Sequence, residues 1–274
     1  MKYIKLNNGQ QMPMLGLGTY KIGWTDVEVY NAIRSAIDLG YRHIDTATLY
    51  KNEATIGKAI RDSGVPREDL FVTTKVWGSD ILSGNIHKAF DLSFKLLDID
   101  YIDLYLVHWP VAGKEASTWI EMEKIHATGK TKSIGVSNHL KHHLEEVLRV
   151  ANIKPEANQI ELHPYLTLNE LREFCNENNI VCEAWSPLGS SKVPLLDEEV
   201  LKQIGEKYNK SSAQVVLRWN LQQGVVSIPK SSNPDRQALN IDIFDFELTN
   251  EEIKIINSLN KDYRTGAHPD EIEF

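Results

Sequence analysis

One alternation runs through the chain from end to end: a short apolar run, then roughly a dozen residues with helical periodicity. The apolar runs are Leu15-Gly16-Leu17-Gly18, His43-Ile44-Asp45, Phe71-Val72-Thr73-Thr74-Lys75 and Leu104-Tyr105-Leu106-Val107-His108. Four more follow at 133–137, 158–161, 181–185 and 225–229. Amphipathic stretches fill the gaps at 26–39, 52–61, 83–97 and 140–150, and the last connection holds two, 198–208 and 213–222. Eight strand-helix units without a linker or a composition shift predict an α/β fold, a single (β/α)8 TIM barrel over residues 1–274. An N-terminal hairpin, turning at Asn7-Asn8-Gly9, is expected to cap the barrel bottom, and two extra helices are expected near the C-terminus. A doubly wound dinucleotide sheet fits less well. Gly16-Leu17-Gly18-Thr19-Tyr20 lacks a third glycine and does not run into a helix, so the glycines read as the turn after the first strand.

The formal net charge is −8 and no basic run occurs, so neither nucleic acid nor an anionic membrane is an expected partner. The two cysteines, Cys175 and Cys182, read as reduced thiols packed in a core. Met1 to Pro13 shows no signal-peptide pattern, and no window reaches the ~18 apolar residues of a membrane span. The expectation is a soluble cytoplasmic monomer.

What ends each strand carries the chemistry. Asp45, Lys75 and His108 close the second, third and fourth strands, Ser137-Asn138 the fifth and Trp185-Ser186 the seventh; the eighth leads into Lys230-Ser231. In a (β/α)8 barrel these tips form the active-site face. With Tyr50, the first three make a general acid and its partners. A phenol is a weak acid near neutral pH, a neighbouring ammonium lowers its pKa, and Asp45 is a counter-ion for a buried Lys75. A neutral His108 can donate a hydrogen bond to a carbonyl oxygen.

These residues sit in a longer series of motifs. Gly16-Leu17-Gly18-Thr19 is followed by Tyr41-Arg42-His43-Ile44-Asp45-Thr46-Ala47, Tyr50 with Asn52-Glu53, Thr74-Lys75-Val76-Trp77 and His108-Trp109-Pro110. Then come Gly135-Val136-Ser137-Asn138, Asn158-Gln159-Ile160-Glu161, Trp185-Ser186-Pro187-Leu188-Gly189 and Ile228-Pro229-Lys230-Ser231. The series resembles the aldo-keto reductases over nearly the whole chain, in particular the bacterial type that reduces methylglyoxal and diketo-gluconate. The resemblance implies NADPH-dependent reduction of small carbonyl compounds. Tyr50 would be the proton donor, Lys75 its tuner, Asp45 the holder of Lys75, and His108 the group that orients the carbonyl.

By the same resemblance, Ser137, Asn138 and Gln159 would hold the nicotinamide carboxamide, with Thr19, Tyr20 and Asp45 also on the cofactor side. Trp185 would stack on the nicotinamide where most members carry tyrosine. Ser186, Leu188 and Ser190 would bind pyrophosphate. Lys230, Ser231 and Arg236 would grip a 2′-phosphate, which favours NADPH over NADH. Asn240 matches an adenine contact, whose usual acidic neighbour is Leu239 here. Tyr20, Tyr50, Trp77, His108 and Trp109 would surround the substrate, and the short tail from Asn260 implies an open pocket and broad specificity.

Other readings compete. His139, His142 and His143 suggest a metal-dependent barrel hydrolase, but no Asp, Glu or Cys cluster accompanies them in sequence, and no metal site is expected. Lys75 could serve a Schiff-base aldolase. A non-catalytic cofactor-sensing subunit would bind NADPH without turnover.

Overall fold

In the computed structural model, which describes residues 1–274, the alternating runs close into a barrel. An antiparallel pair comes first, β1 (Tyr3–Lys5) and β2 (Gln11–Pro13). The barrel strands are β3 (Leu17–Gly18), β4 (His43–Asp45), β5 (Phe71–Val76), β6 (Ile102–Val107), β7 (Thr131–Ser137), β8 (Ala157–Glu161), β9 (Val181–Trp185) and β10 (Val226–Ser227). The helices are α1 (Asp26–Asp38), α2 (Glu53–Arg61), α3 (Gly78–Leu82), α4 (Ile86–Leu97), α5 (Glu115–His126), α6 (Lys141–Val150) and α7 (Asn169–Glu177). Then come α8 (Glu199–Tyr208), α9 (Ser212–Gln222), α10 (Pro234–Ile241) and α11 (Asn250–Asn257). No helix is long and apolar enough to cross a membrane.

Strands β3 to β10 pair in sequence order, each parallel to the next. The ring is closed by a parallel bridge between Leu15 and Ser227, where Gly16 N donates to Ser227 O at 2.9 Å. This seam corrects the expectation for the glycines. They lie in and beside β3 rather than in a turn after it. A Cβ on Gly18 would stand 2.7 Å from the Ile228 carbonyl oxygen, and one on Gly16 would stand 2.6 Å from the His43 ring. Glycine is needed at Gly18 because first and last strands approach too closely for a side chain, and at Gly16 because the buried His43 ring of β4 takes the space.

The helix expected over 83–97 starts three residues late, and a separate short helix precedes it. α3 ends before Gly84, whose φ of +70° interrupts the helical backbone, and α4 begins at Ile86. Elsewhere the helix starts follow local chemistry. Thr25 and Glu28 form a capping box on α1, as do Ser211 and Gln214 on α9.

The hairpin meets the chain just before β8. Asn7 Nδ2 donates to Pro155 O at 3.0 Å, and Asn8 N donates to the Glu156 carboxylate at 3.1 Å. Leu6 and Met12 pack with Phe71, Leu104, Leu106, Ala157, Val181 and Val226, so the apolar floor of the interior lies at the strands' N-terminal ends. Side chains two residues further along the same strands share that inward face. On β5, β8 and β9 they are polar, and they form the site.

Candidate active site

Stepping up each strand from the floor leads from Phe71 to Thr73 and Lys75, from Ala157 to Gln159, and from Val181 to Glu183 and Trp185. Strands β4 and β8 are not neighbours in the sheet, yet Gln159 Nε2 donates to Asp45 Oδ2 at 2.7 Å. That bond crosses the barrel interior. The same nitrogen donates to Glu183 Oε2 at 2.9 Å.

Lys75 is fully buried, at 0% exposure. Its ammonium donates to Asp45 Oδ1 at 2.6 Å, Asp45 Oδ2 at 2.7 Å and Thr46 O at 2.8 Å. Three N–H groups meet three acceptors, so no donor of the buried side chain is left without a partner. Burial pushes the Asp45 carboxyl up, and the Lys75 charge with the Gln159 amide opposes it.

Tyr50 ends a short 3₁₀ turn, Thr48–Tyr50, that Thr48 ties to β5 by donating to Lys75 O at 2.8 Å. Its ring centroid lies 5.4 Å from Lys75 Nζ, 5.6 Å from the His108 ring and 5.0 Å from the Tyr20 ring. The structure thus brings Asp45, Tyr50, Lys75 and His108 together. It differs from expectation in one respect: the phenol is held well above 10, not below it. Burial dominates, although part of the residue remains at the surface, and Asp45, Tyr20 and Glu183 add repulsion against a phenolate. Lys75 gives the phenol no hydrogen bond to offset this, because its three protons go to Asp45 and Thr46. Tyr50 therefore stands as a protonated acid. Burial and the Lys75 charge also hold His108 well below 6.5, so its ring is neutral, and its Nδ1 is buried without a partner.

The amides expected to face the cofactor are more committed than that expectation required. Asn138, at φ 61°, donates from Nδ2 to His108 O at 3.0 Å and to Ser137 Oγ at 3.1 Å. Its Oδ1 accepts the Trp185 indole N–H at 2.7 Å. Tryptophan in place of tyrosine thus gains a bond that locks Asn138. Gln159 spends its amide nitrogen on two carboxylates, leaving its oxygen as the free group. Neither amide offers a full donor-acceptor pair. The Thr19 hydroxyl, by contrast, is buried with no protein partner, an orphan that suits a ligand.

Farther out, Lys230 and Arg236 are exposed and Ser231 is buried around the first turn of α10. Asn233 caps that helix by accepting Arg236 N at 2.9 Å, with Pro234 at its first position. Gln237 fixes the loop by donating to Ser231 O at 2.8 Å. Two cations, a hydroxyl and a helix N-terminus suit a phosphate dianion. Asn240 is buried on the same helix, while Leu239 faces solvent. After β9, the Ser186 and Ser190 hydroxyls bond each other on a loop that also carries Leu188.

Beside Tyr50 lies a cavity of about 270 Å³ lined by Tyr20, Trp24, Leu49 and Lys51. Trp24, 88% exposed, escaped the sequence reading; its large aromatic face at a loop tip was the available signal. Trp77 packs edge-on against His108 at 5.2 Å and against Phe274 at 5.3 Å, so the chain's last side chain reaches the site. Trp109 is buried, 6.4 Å from the Trp185 ring. A larger cleft of about 1190 Å³ runs past Lys5, Arg172 and Cys182 and touches none of the candidate residues.

The histidine cluster needs a correction. The acid that joins the histidines is not one of their sequence neighbours: the tail brings Asp270 to 3.0 Å from His142 Nε2 and 3.1 Å from His143 Nε2. His143 Nδ1 accepts the Leu140 N–H at 3.1 Å. The ring proton is therefore on Nε2, which donates to Asp270 and has no lone pair to give a metal.

Residues 14–261 match the model of the aldo/keto reductase family. The chain belongs to that family. It is 52% identical to a glyoxal reductase of Bacillus subtilis (strain 168), over 99% of this chain and 97% of that one. A 9,11-endoperoxide prostaglandin H2 reductase of Trypanosoma cruzi (strain CL Brener) is 49% identical, over 97% of this chain and 94% of the other. Among solved structures, MGS-M4, an aldo-keto reductase enzyme from a Medee basin deep-sea metagenome library, superposes with a TM-score of 0.96. It is 42% identical and covers 99% of this chain and 100% of its own. As an aldo/keto reductase the chain is an oxidoreductase, and the barrel mouth described above is its candidate active site.

Proposed function

We propose that this aldo/keto reductase reduces small aldehydes, dicarbonyls such as glyoxal and methylglyoxal, and keto-sugars to alcohols, using NADPH. The observation that carries the reading is the buried Asp45–Lys75 pair beneath a protonated Tyr50 and a neutral His108. Lys230, Ser231 and Arg236 would hold the 2′-phosphate, and Thr19, Gln159 and Trp185 the nicotinamide end. A bound NADPH supplies the hydride. His108 donates a hydrogen bond to the substrate oxygen and sets the carbonyl's orientation. Tyr50 gives its proton to that oxygen as negative charge develops there. Lys75 keeps positive charge close to the phenolate left behind, and Asp45 keeps Lys75 charged and in place. Trp77, Trp109 and Tyr20 exclude water from the reacting centre.

Following NADPH consumption across a panel of glyoxal, methylglyoxal, aromatic aldehydes and diketo-sugars tests the reading. Turnover of dicarbonyls with NADPH supports it, and NADPH binding with no turnover of any carbonyl overturns it. The whole chain, residues 1–274, is proposed to act as one domain and as a cytoplasmic monomer. A sedimentation mass of two chains at working concentration would contradict the last point.

A further inference from the structure

Glu183 has no part in the acid–base set, yet it is bonded to the same amide nitrogen as Asp45. It sits at the centre of β9 with 0% exposure. Its Oε2 accepts one N–H of the Gln159 amide at 2.9 Å, while Asp45 accepts the other at 2.7 Å. One amide nitrogen thus bridges two carboxyl groups, and Lys75, bonded to the nearer, is the cation between them. The second Glu183 oxygen makes no hydrogen bond and lies 3.6 Å from His43 Nε2, which already engages the Thr73 hydroxyl at 3.1 Å.

The groups that face Glu183 can be taken element by element. β4 brings Asp45 and His43, β5 brings Lys75, and the turn before α2 brings Tyr50. β8 brings the neutral Gln159, and β10 pairs alongside through Val226. Burial, then Lys75, hold His43 neutral at a pKa of about 3. One ammonium therefore faces two carboxyl groups. Asp45 takes the ammonium, and a second charge would be buried without a counter-ion.

We propose that Glu183 is a positioning residue: it clamps the Gln159 amide against Asp45, and so holds the Asp45–Lys75 pair and leaves the Gln159 oxygen as the group offered to a ligand. The clamp works in the protonated state. Burial first, then repulsion from Asp45, carries the Glu183 carboxyl up to about 8. Above that pH a second negative charge enters the core, opposes proton loss from Tyr50, and disfavours the charge that develops on the substrate oxygen. This rests on the carbonyl-reductase reading.

The test compares Glu183→Ala and Glu183→Gln with the wild type in NADPH-driven dicarbonyl reduction from pH 6 to pH 9.5. Glu183→Ala should lower kcat and weaken NADPH binding by about tenfold or more, because a freed Gln159 amide rotates. Glu183→Gln keeps an acceptor for Gln159 and should recover most of that loss. The wild-type rate should fall near pH 8, and Glu183→Gln should abolish that fall. An alkaline limb unchanged in Glu183→Gln, or a Glu183→Ala protein with wild-type kcat and NADPH affinity, overturns the proposal. Difference infrared spectroscopy separates this from failure of the reductase reading. A protonated carboxyl band that titrates near pH 8 and vanishes in Glu183→Gln supports the buried acid even if no carbonyl is turned over, and its absence refutes it.

Discussion

Replacing the members of the buried pair singly and together separates their structural from their chemical role. D45N leaves the Lys75 ammonium with the Thr46 carbonyl and one amide oxygen in place of a carboxylate that takes two bonds at 2.6 and 2.7 Å. K75M leaves the Asp45 carboxylate with a single donor, Gln159 Nε2. Each variant strands one charge in a site of 0–2% exposure, and breaking a buried pair this way costs about 3–5 kcal/mol. The double variant D45N/K75M strands none, so its cost should fall well below the sum, with a coupling energy of about 3 kcal/mol. Urea unfolding at pH 7 reads these values, and steady-state reduction is measured on the same samples. Stability should return in the double variant while turnover stays lost, because Lys75 no longer supplies charge beneath Tyr50. Additive costs, within about 0.5 kcal/mol, would refute the claim that the pair's charges balance each other.

Three further outcomes follow from the same coordinates. R236A should weaken NADPH about ten- to a hundredfold, the worth of a charge-assisted phosphate contact, and leave NADH nearly unchanged; equal loss by titration would move the 2′-phosphate elsewhere. G18A should destabilise by about 1–3 kcal/mol, because its Cβ would meet the Ile228 oxygen at the barrel seam, and an unchanged melting temperature would contradict that. Burial raises Glu156 to about 7, so between 4.5 and 7 the folded chain binds the proton that the unfolded chain has lost. Stability tied to this group therefore declines as pH rises through that window, and E156Q should remove the decline in melts taken across it.

The barrel was legible because each strand is a dense apolar run bounded by helical periodicity, and its face was legible because Asp45, Lys75 and His108 stand at strand ends. Strand interiors were harder to read. Glu183 lies within Val181-Cys182-Glu183-Ala184-Trp185, where a carboxyl between apolar neighbours was the only hint, and its one hydrogen bond comes from Gln159 on β8. Gly16-Leu17-Gly18 looks like a turn locally, and its role at the seam depends on residues more than two hundred positions away. Asp270 and Phe274 were invisible for the same reason: only the folded tail brings them to His142 and Trp77. The direction of the Tyr50 shift was missed because sequence shows that Lys75 is present but not that the phenol is buried with Asp45, Tyr20 and Glu183 facing it.

The central claim is that Tyr50 is the proton donor of a carbonyl reduction. It is tested most directly by Tyr50→Phe, with NADPH affinity from fluorescence titration and turnover of glyoxal measured on one preparation. The phenyl ring keeps its contacts with Tyr20 and His108, so NADPH affinity should stay within about twofold, while kcat should fall by about a hundredfold or more. A Tyr50→Phe enzyme that reduces glyoxal at the wild-type rate would contradict the account.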